Sequence, residues 1–170
     1  ALYDGYSYIF ERQMGLHTGD PTTFKTYEEF EAAVKKQMAY LVGCACRCSQ
    51  LAERAQQLRL PKPFRDCCVA GPMESGKDIM YQGSSKYFAG PGLLVTGVAD
   101  YADSMAAVKK LVYDDKKITM AELIDALKKD FEGYDDLRYM LIHDAPKYGN
   151  DDPYVDDIAK DCVKYSGDVA

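Results

Sequence analysis

The sequence predicts an α/β fold in which helices dominate and short strands are confined to one stretch. Three observations carry that prediction. An apolar stripe with helical spacing runs from Tyr27 to Leu58, a glycine-rich run of aromatic and aliphatic residues extends from Ile79 to Ala99, and two threonine–glutamate pairs stand at the spacing of a helix capping box. The resulting order is helix, strands, helices. No repeat or low-complexity linker interrupts it, so residues 1–170 read as part of one domain without an internal boundary.

The elements follow in chain order. Gly15-Leu16-His17-Thr18-Gly19-Asp20-Pro21 is rich in turn formers and reads as a loop entering a helix. Thr26 and Glu29 form the first capping box, in which hydroxyl and carboxylate each satisfy a backbone N–H at the helix start. Apolar or small residues at Tyr27, Phe30, Val34, Met38, Leu41 and Ala45, and on through Cys48, Ala52, Ala55 and Leu58, predict one long helix over 26–59, stopped by Pro61 and Pro63. Pro63 opens a short helix through Cys68, closed by Gly71-Pro72. From Ile79 to Ala99, glycines among Tyr, Phe, Leu and Val predict short buried strands with close backbone approaches. Asp103 or Ser104 is placed to cap a helix running to about Tyr113, and Thr119 with Glu122 caps another running to about Phe131. Gly133 breaks that helix from one over 134–143, and Asp152-Pro153 opens the last.

Composition excludes several classes of function. The net charge of -6 comes with no stripe of Lys or Arg, which argues against nucleic acid as a partner. No apolar run approaches the ~20 residues of a membrane span, and the first residues carry no signal-peptide pattern; the expectation is a cytoplasmic protein that does not use a membrane. The chain starts without Met, in the middle of a helix-and-turn pattern, and reads as a fragment. Its six cysteines are expected to be thiols.

Several motifs approach a known chemistry and then depart from it. Gly71-Pro72-Met73-Glu74-Ser75-Gly76-Lys77-Asp78 matches a phosphate-binding loop except at its last position, where Asp78 stands in place of the Ser or Thr that holds magnesium. A glycine-rich turn is the simpler reading. Glu122 falls where a calcium loop has its last ligand, yet Leu111, Tyr113 and Lys116 occupy positions that need oxygen donors and a glycine. On a helix Cys44 and Cys48 share a face while Cys46 points away, so buried small hydrophobes are expected there rather than a zinc or iron–sulfur site. His17 and His143, the only histidines, stand in no nucleophile–base context, and Asp151, Asp152, Asp156 and Asp157 read as a solvated helix start. No metal site or cofactor site is expected in this segment.

Longer stretches carry a resemblance. Gly97-Val98-Ala99-Asp100-Tyr101-Ala102-Asp103-Ser104-Met105 through Tyr113, continuing from Lys116 to Leu123, resembles the "G-x-A-D-x-A-D-S-L-A-A-I-K-K-L-V-F…K-K-I-S-M-A-E-L" segment of the glycyl radical enzymes, the pyruvate formate-lyase-like class. Phe131-Glu132-Gly133-Tyr134 and Ala145-Pro146-Lys147-Tyr148-Gly149-Asn150-Asp151-Asp152-Pro153-Tyr154-Val155-Asp156 resemble further motifs of that family in the same order, and Gly15 to Phe24 resembles its entry to a long helix.

The resemblance implies that the chain is a helix-rich segment of a ten-stranded α/β barrel. That barrel shelters a glycyl radical on one loop and a thiyl-forming cysteine on the opposing loop. It implies a parent acting as an anaerobic lyase, dehydratase or decarboxylase on a small organic substrate, activated by a separate S-adenosylmethionine-dependent enzyme with an iron–sulfur cluster, with a homodimer among the expected partners. The family's thiyl cysteine stands beside Glu in "C-x-E" upstream of this segment, and none of the six cysteines here matches it. The radical glycine lies in "R-V-x-G-Y" downstream; Tyr165-Ser166-Gly167-Asp168 lacks both the Arg and the Tyr, so Gly167 is a decoy. No catalytic residue is therefore expected within the chain, and the segment alone is expected to be inactive, associating through its uncovered apolar surface.

What the resemblance leaves is barrel wall and a few pocket contacts. Lys86-Tyr87-Phe88-Ala89-Gly90-Pro91 matches the family's "Y-N-F-T-G-P", with Tyr87 and Ala89 replacing Asn and Thr, and Glu74 lies in a stretch similar to "C-x-E-x-G-K-D". Glu74, Phe88 and Ala89 are accordingly the candidate substrate-pocket residues. The rival reading is a noncatalytic helical scaffold derived from the same family.

Overall fold

The computed structural model describes residues 1–86 and 94–170. They gather into two compact units, one made of Ala1–Val42 with Val95–Ala170 and the other of Gly43–Leu94.

In the first unit the chain begins with a small hairpin, β1 (Tyr6–Ser7) paired antiparallel with β2 (Arg12–Gln13), Tyr6 opposite Gln13 and Ser7 opposite Arg12. Its base is closed by the Met14 and Gly15 amides, which donate to the Gly5 carbonyl at 3.0 and 2.9 Å. Gly5 has φ +80°, and a Cβ there would stand 2.5 Å from the Leu16 carbonyl oxygen, so the turn requires glycine. Neither two-residue strand is long enough to show an alternating pattern in the sequence.

Helix α1 spans Tyr27–Arg59, as its stripe predicts. The Glu29 amide donates to the Thr26 hydroxyl at 3.3 Å, while the Glu29 carboxylate accepts from the Lys25 amide at 2.7 Å, one residue earlier than a capping box requires. Tyr27, Phe30, Ala33 and Gln37 are buried; no residue of α1 beyond Gln37 is. Gln37 carries no uncompensated polarity, because its side-chain carbonyl accepts from the Leu16 amide at 3.1 Å and its NH2 donates to the Leu16 carbonyl.

Helix α4 runs from Val98 to Val108, with α2 (Pro63–Asp66) and α3 (Pro72–Ser75) preceding it in the second unit. It begins five residues before the earlier of the two expected caps. Gly97, at φ +75°, starts it; Asp103 instead accepts the Tyr148 amide at 2.7 Å, and Ser104 donates back to the Asp100 carbonyl. Packing explains the extension, since Ala102 and Ala106 are fully buried and α4 lies mainly against α7 (Pro153–Val169), whose Val155, Ile158, Ala159 and Cys162 are buried in turn. Lys109–Asp114 continues as a π-helical segment closed by the Asp115 amide on the Lys110 carbonyl at 2.7 Å, and it seats Leu111 at the centre of the core with no exposed surface.

Helices α5 (Met120–Lys128) and α6 (Asp135–His143) complete this unit. The second capping box forms in full: the Glu122 amide donates to the Thr119 hydroxyl at 3.2 Å and the Thr119 amide to the Glu122 carboxylate at 2.7 Å. Helix α5 stops at Lys128 rather than near Phe131, because the Phe131 amide closes back onto the Ala126 carbonyl at 2.8 Å with Asp130 and Phe131 both at positive φ. Asp152 caps α7 through the Tyr154 amide at 2.9 Å, and Pro153 occupies its first turn.

Among the described residues of the stretch Ile79 to Ala99, the expectation of strands is corrected. Ile79–Tyr81 is a single 3-10 turn capped by Asp78, residues 82–86 and 94–97 are irregular, and Tyr87 to Leu93 lie outside the described residues. Asp78 wins the local competition: its carboxylate accepts the Met80 amide at 2.7 Å and the Lys62 amide at 2.6 Å, folding the segment into a turn. Among the described residues the only strands are β1 and β2, so the helix-rich character is seen and a ten-stranded barrel is not.

Candidate functional site

Of the three residues the sequence singles out for substrate contact, the structure describes Glu74, which lies on α3 just before the loop that follows it. Phe88 and Ala89 lie outside the described residues. Glu74 is exposed on α3, and its carboxylate accepts the Gly71 amide at 2.8 Å, so one of its oxygens holds the start of its own short helix. The loop is tight on both sides. A Cβ on Gly71 would stand 2.3 Å from the Ser85 amide nitrogen, and one on Gly83 would stand 2.0 Å from the Lys77 carbonyl oxygen. The Ser85 amide donates to the Ala70 carbonyl at 3.1 Å and the Ser75 hydroxyl to the Gly83 carbonyl at 3.2 Å, tying the two ends together.

That architecture explains the resemblance to a phosphate loop and why the resemblance fails. Of the motif's two glycines, Gly71 serves a close backbone crossing and Gly76 ends α3 in a left-handed turn at φ +63°, and Lys77-Asp78 leads into a 3-10 turn instead of the helix N-terminus that would aim amides at a phosphate. The Lys62 amide bonded to Asp78, with the Met80 amide next, holds its carboxyl below the usual carboxylate range. Asp78 is thus a structural anion.

None of the six cysteines is in a disulfide, and five of them, Cys44, Cys46, Cys48, Cys67 and Cys68, belong to the second unit. The expected burial of the helical trio is corrected: Cys44 and Cys46 are half-buried and Cys48 is exposed. Only Cys162 is buried, where desolvation pushes its thiol up. Among the described residues no group of three His, Cys, Asp or Glu side chains is arranged to hold a metal ion. His17 bonds the Asp4 carboxylate at 2.8 Å. With the Thr18 and Gly19 amides donating to the same carboxylate, this bond lowers the Asp4 pKa to about 2. The carboxylate is a clasp for the turn rather than half of a proton-transfer pair.

One cluster escaped the sequence reading. Lys109 Nζ stands 4.5 Å from the centre of the Tyr154 ring and 5.4 Å from that of Tyr27. Tyr154 donates its hydroxyl to Asp114 at 2.8 Å, and the Tyr27 and Tyr113 hydroxyls are buried without a partner among the described residues. Burial raises the pKa of all three phenols, so they stay neutral. The only trace of this cluster in the sequence is the excess of 14 Tyr over 6 Phe. Gly167 is exposed within α7 with nothing within 4 Å of a Cβ.

Residues 1–168 match the family described as pyruvate formate lyase-like. The chain is 35% identical over 164 residues to a trans-4-hydroxy-L-proline dehydratase of Clostridioides difficile, covering 95% of this chain and 20% of that protein. It is 36% identical over 175 residues to an isethionate sulfite-lyase of Oleidesulfovibrio alaskensis, covering 97% of this chain and 20% of the relative. The crystal structure of the C. difficile hydroxyproline dehydratase with its substrate bound superposes with a TM-score of 0.89 at 33% identity, over 99% of this chain and 21% of the other. The chain therefore spans about a fifth of the length of the curated relatives it matches.

Proposed function

The chain belongs to the pyruvate formate lyase-like family, and on that premise we propose that it is a wall segment of the catalytic subunit of an anaerobic glycyl radical enzyme. The parent is a dehydratase, lyase or decarboxylase acting on a small organic substrate in the cytoplasm. Its thiyl-forming cysteine and its radical glycine lie in the rest of the polypeptide, and a separate S-adenosylmethionine-dependent enzyme installs the radical.

The observation that carries this reading is continuous likeness along nearly the whole chain to relatives about five times as long, a dehydratase and a sulfite-lyase among them. What supports placing the radical elsewhere is the sequence: Gly167 stands in no "R-V-x-G-Y" setting, and the six cysteines stand in no "C-x-E" setting. This segment's part is mechanical. Buried α4, α5 and α7 make a rigid face, and the crossing at Gly71 and Gly83 fixes the path of the chain towards residues 87–93, where Phe88 and Ala89, with Glu74 nearby in sequence, contribute to the pocket. Replacement of an Asn and a Thr of the family pattern by Tyr87 and Ala89 favours a less polar substrate.

Anaerobic incubation of the full-length parent with its activating enzyme and S-adenosylmethionine tests the proposal. It predicts an organic radical doublet in electron paramagnetic resonance. Activated protein with a silent spectrum, or an open reading frame without "C-x-E" before this segment and "R-V-x-G-Y" after it, contradicts it.

A further inference from the structure

In the second unit the helix α1 is turned inside out. Val42, just before this unit, and Cys46, Ser49, Glu53 and Gln56 recur at four-and-three spacing and are half-buried, and Gln57 donates to the Met80 carbonyl at 2.8 Å. The opposite face carries Ala45, Cys48, Leu51, Ala52, Ala55 and Leu58, and it is exposed, Leu51 to 71% and Leu58 to 59%. A helix normally buries its apolar stripe and leaves its polar one to water. Here the partners within the unit take the more polar side.

The pattern of that exposed face specifies what it accepts. Cys48, Leu51, Ala55 and Leu58 follow one another at steps of three and four, the seam of two helices packed at a shallow angle. The small side chains of Ala45, Ala52 and Ala55 lower one flank, which admits a neighbouring backbone closely. Arg47 and Arg54, seven residues apart, line the other flank, are exposed, and enter no ion pair among the described residues. Four fifths of the length of the relatives lies outside this segment.

We propose that the face of α1 from Ala45 to Leu58 is a helix-packing seam. Its occupant is one helix from the part of the same polypeptide outside this segment, with an apolar three-and-four stripe and carboxylates opposite Arg47 and Arg54. The proposal rests on the reading of the chain as a piece of a longer family member. It adds the type of element, its packing geometry and its charge.

Cys48 is a built-in probe, since it lies in the seam and is exposed in this segment. The experiment is native-state thiol alkylation of the full-length parent, with Cys48 modification timed by mass spectrometry against a peptide of the same local sequence. The expected result is modification at least about a hundredfold slower than in the peptide, lost in denaturant. Alkylation at the peptide's rate overturns the seam. Protection that disappears on dilution as the sedimenting mass halves overturns the choice of occupant in favour of a second copy. Charge reversal by R47E with R54E is expected to speed Cys48 alkylation at least about tenfold, and an unchanged rate overturns the carboxylate flank. A parent that shows the radical doublet yet alkylates freely loses only the seam, whereas one that protects Cys48 but gives no doublet loses only the radical reading.

Discussion

The two stretches of α1 carry apolar residues at the same helical spacing, yet they have different surroundings. Between Tyr27 and Gln37 the stripe is covered by the rest of its unit, with Phe30 2% exposed; between Met38 and Arg59 no residue is buried. Helical pattern is a property of local sequence, while burial belongs to whatever packs on it. A long stripe with only part of its cover is what a segment of a larger fold should show, and a complete small domain would have little reason to keep Leu51 and Leu58 in water.

The largest effect that can break this contrast is a pair of truncations in the intact protein. Leu111→Ala removes a side chain with no exposed surface and should cost about 2–5 kcal/mol in urea unfolding. Leu51→Ala, at 71% exposure here, should cost about 2 kcal/mol once the seam is filled. A cost below about 0.5 kcal/mol at Leu51 would mean that the face is solvated in the intact protein too.

A smaller difference separates the two helix starts. Thr119 and Glu122 satisfy each other's amides, so Thr119→Ala should lower stability by about 1 kcal/mol. At Thr26 the glutamate has moved to the Lys25 amide, and the same truncation should cost less. Melting temperatures of the two variants decide it, equal shifts counting against the distinction.

The smallest effect concerns the clasp at Asp4. Its folded pKa is depressed to about 2 from 3.8, so the clasp's contribution is fully present above about pH 4 and is lost as pH falls towards 2. Hydrogen exchange at the Thr18 and Gly19 amides should hold its protection down to about pH 4 and lose it below. Protection that survives unchanged at pH 2 would place the stabilisation elsewhere.

The residues that made the helices legible act locally. Pro61 and Pro63 stop α1 because they bring no amide donor to its end, while Thr119 with Glu122 starts α5 and Asp152 starts α7 through bonds to amides a few positions away. Where the reading missed, a distant partner decided the outcome. Helix α4 starts early because Ala102 packs near α7, and Cys48 is exposed because the unit covers the other side of α1. Ile79–Tyr81 carries strand-forming side chains, but the Asp78 carboxylate bonds the local amides first. The Tyr27–Lys109–Tyr154 stack joins residues from three elements, and no spacing rule reaches across them. The candidate pocket was legible only through family motifs, two of its three residues falling in the stretch 87–93.

The proposed parent carries its radical on a glycine outside this segment. Electron paramagnetic resonance of the activated full-length protein, grown once with ordinary glycine and once with glycine deuterated at the α carbon, addresses it most directly. The account predicts a doublet that collapses to a single line on deuteration; a spectrum without a radical, or one indifferent to the label, would contradict it.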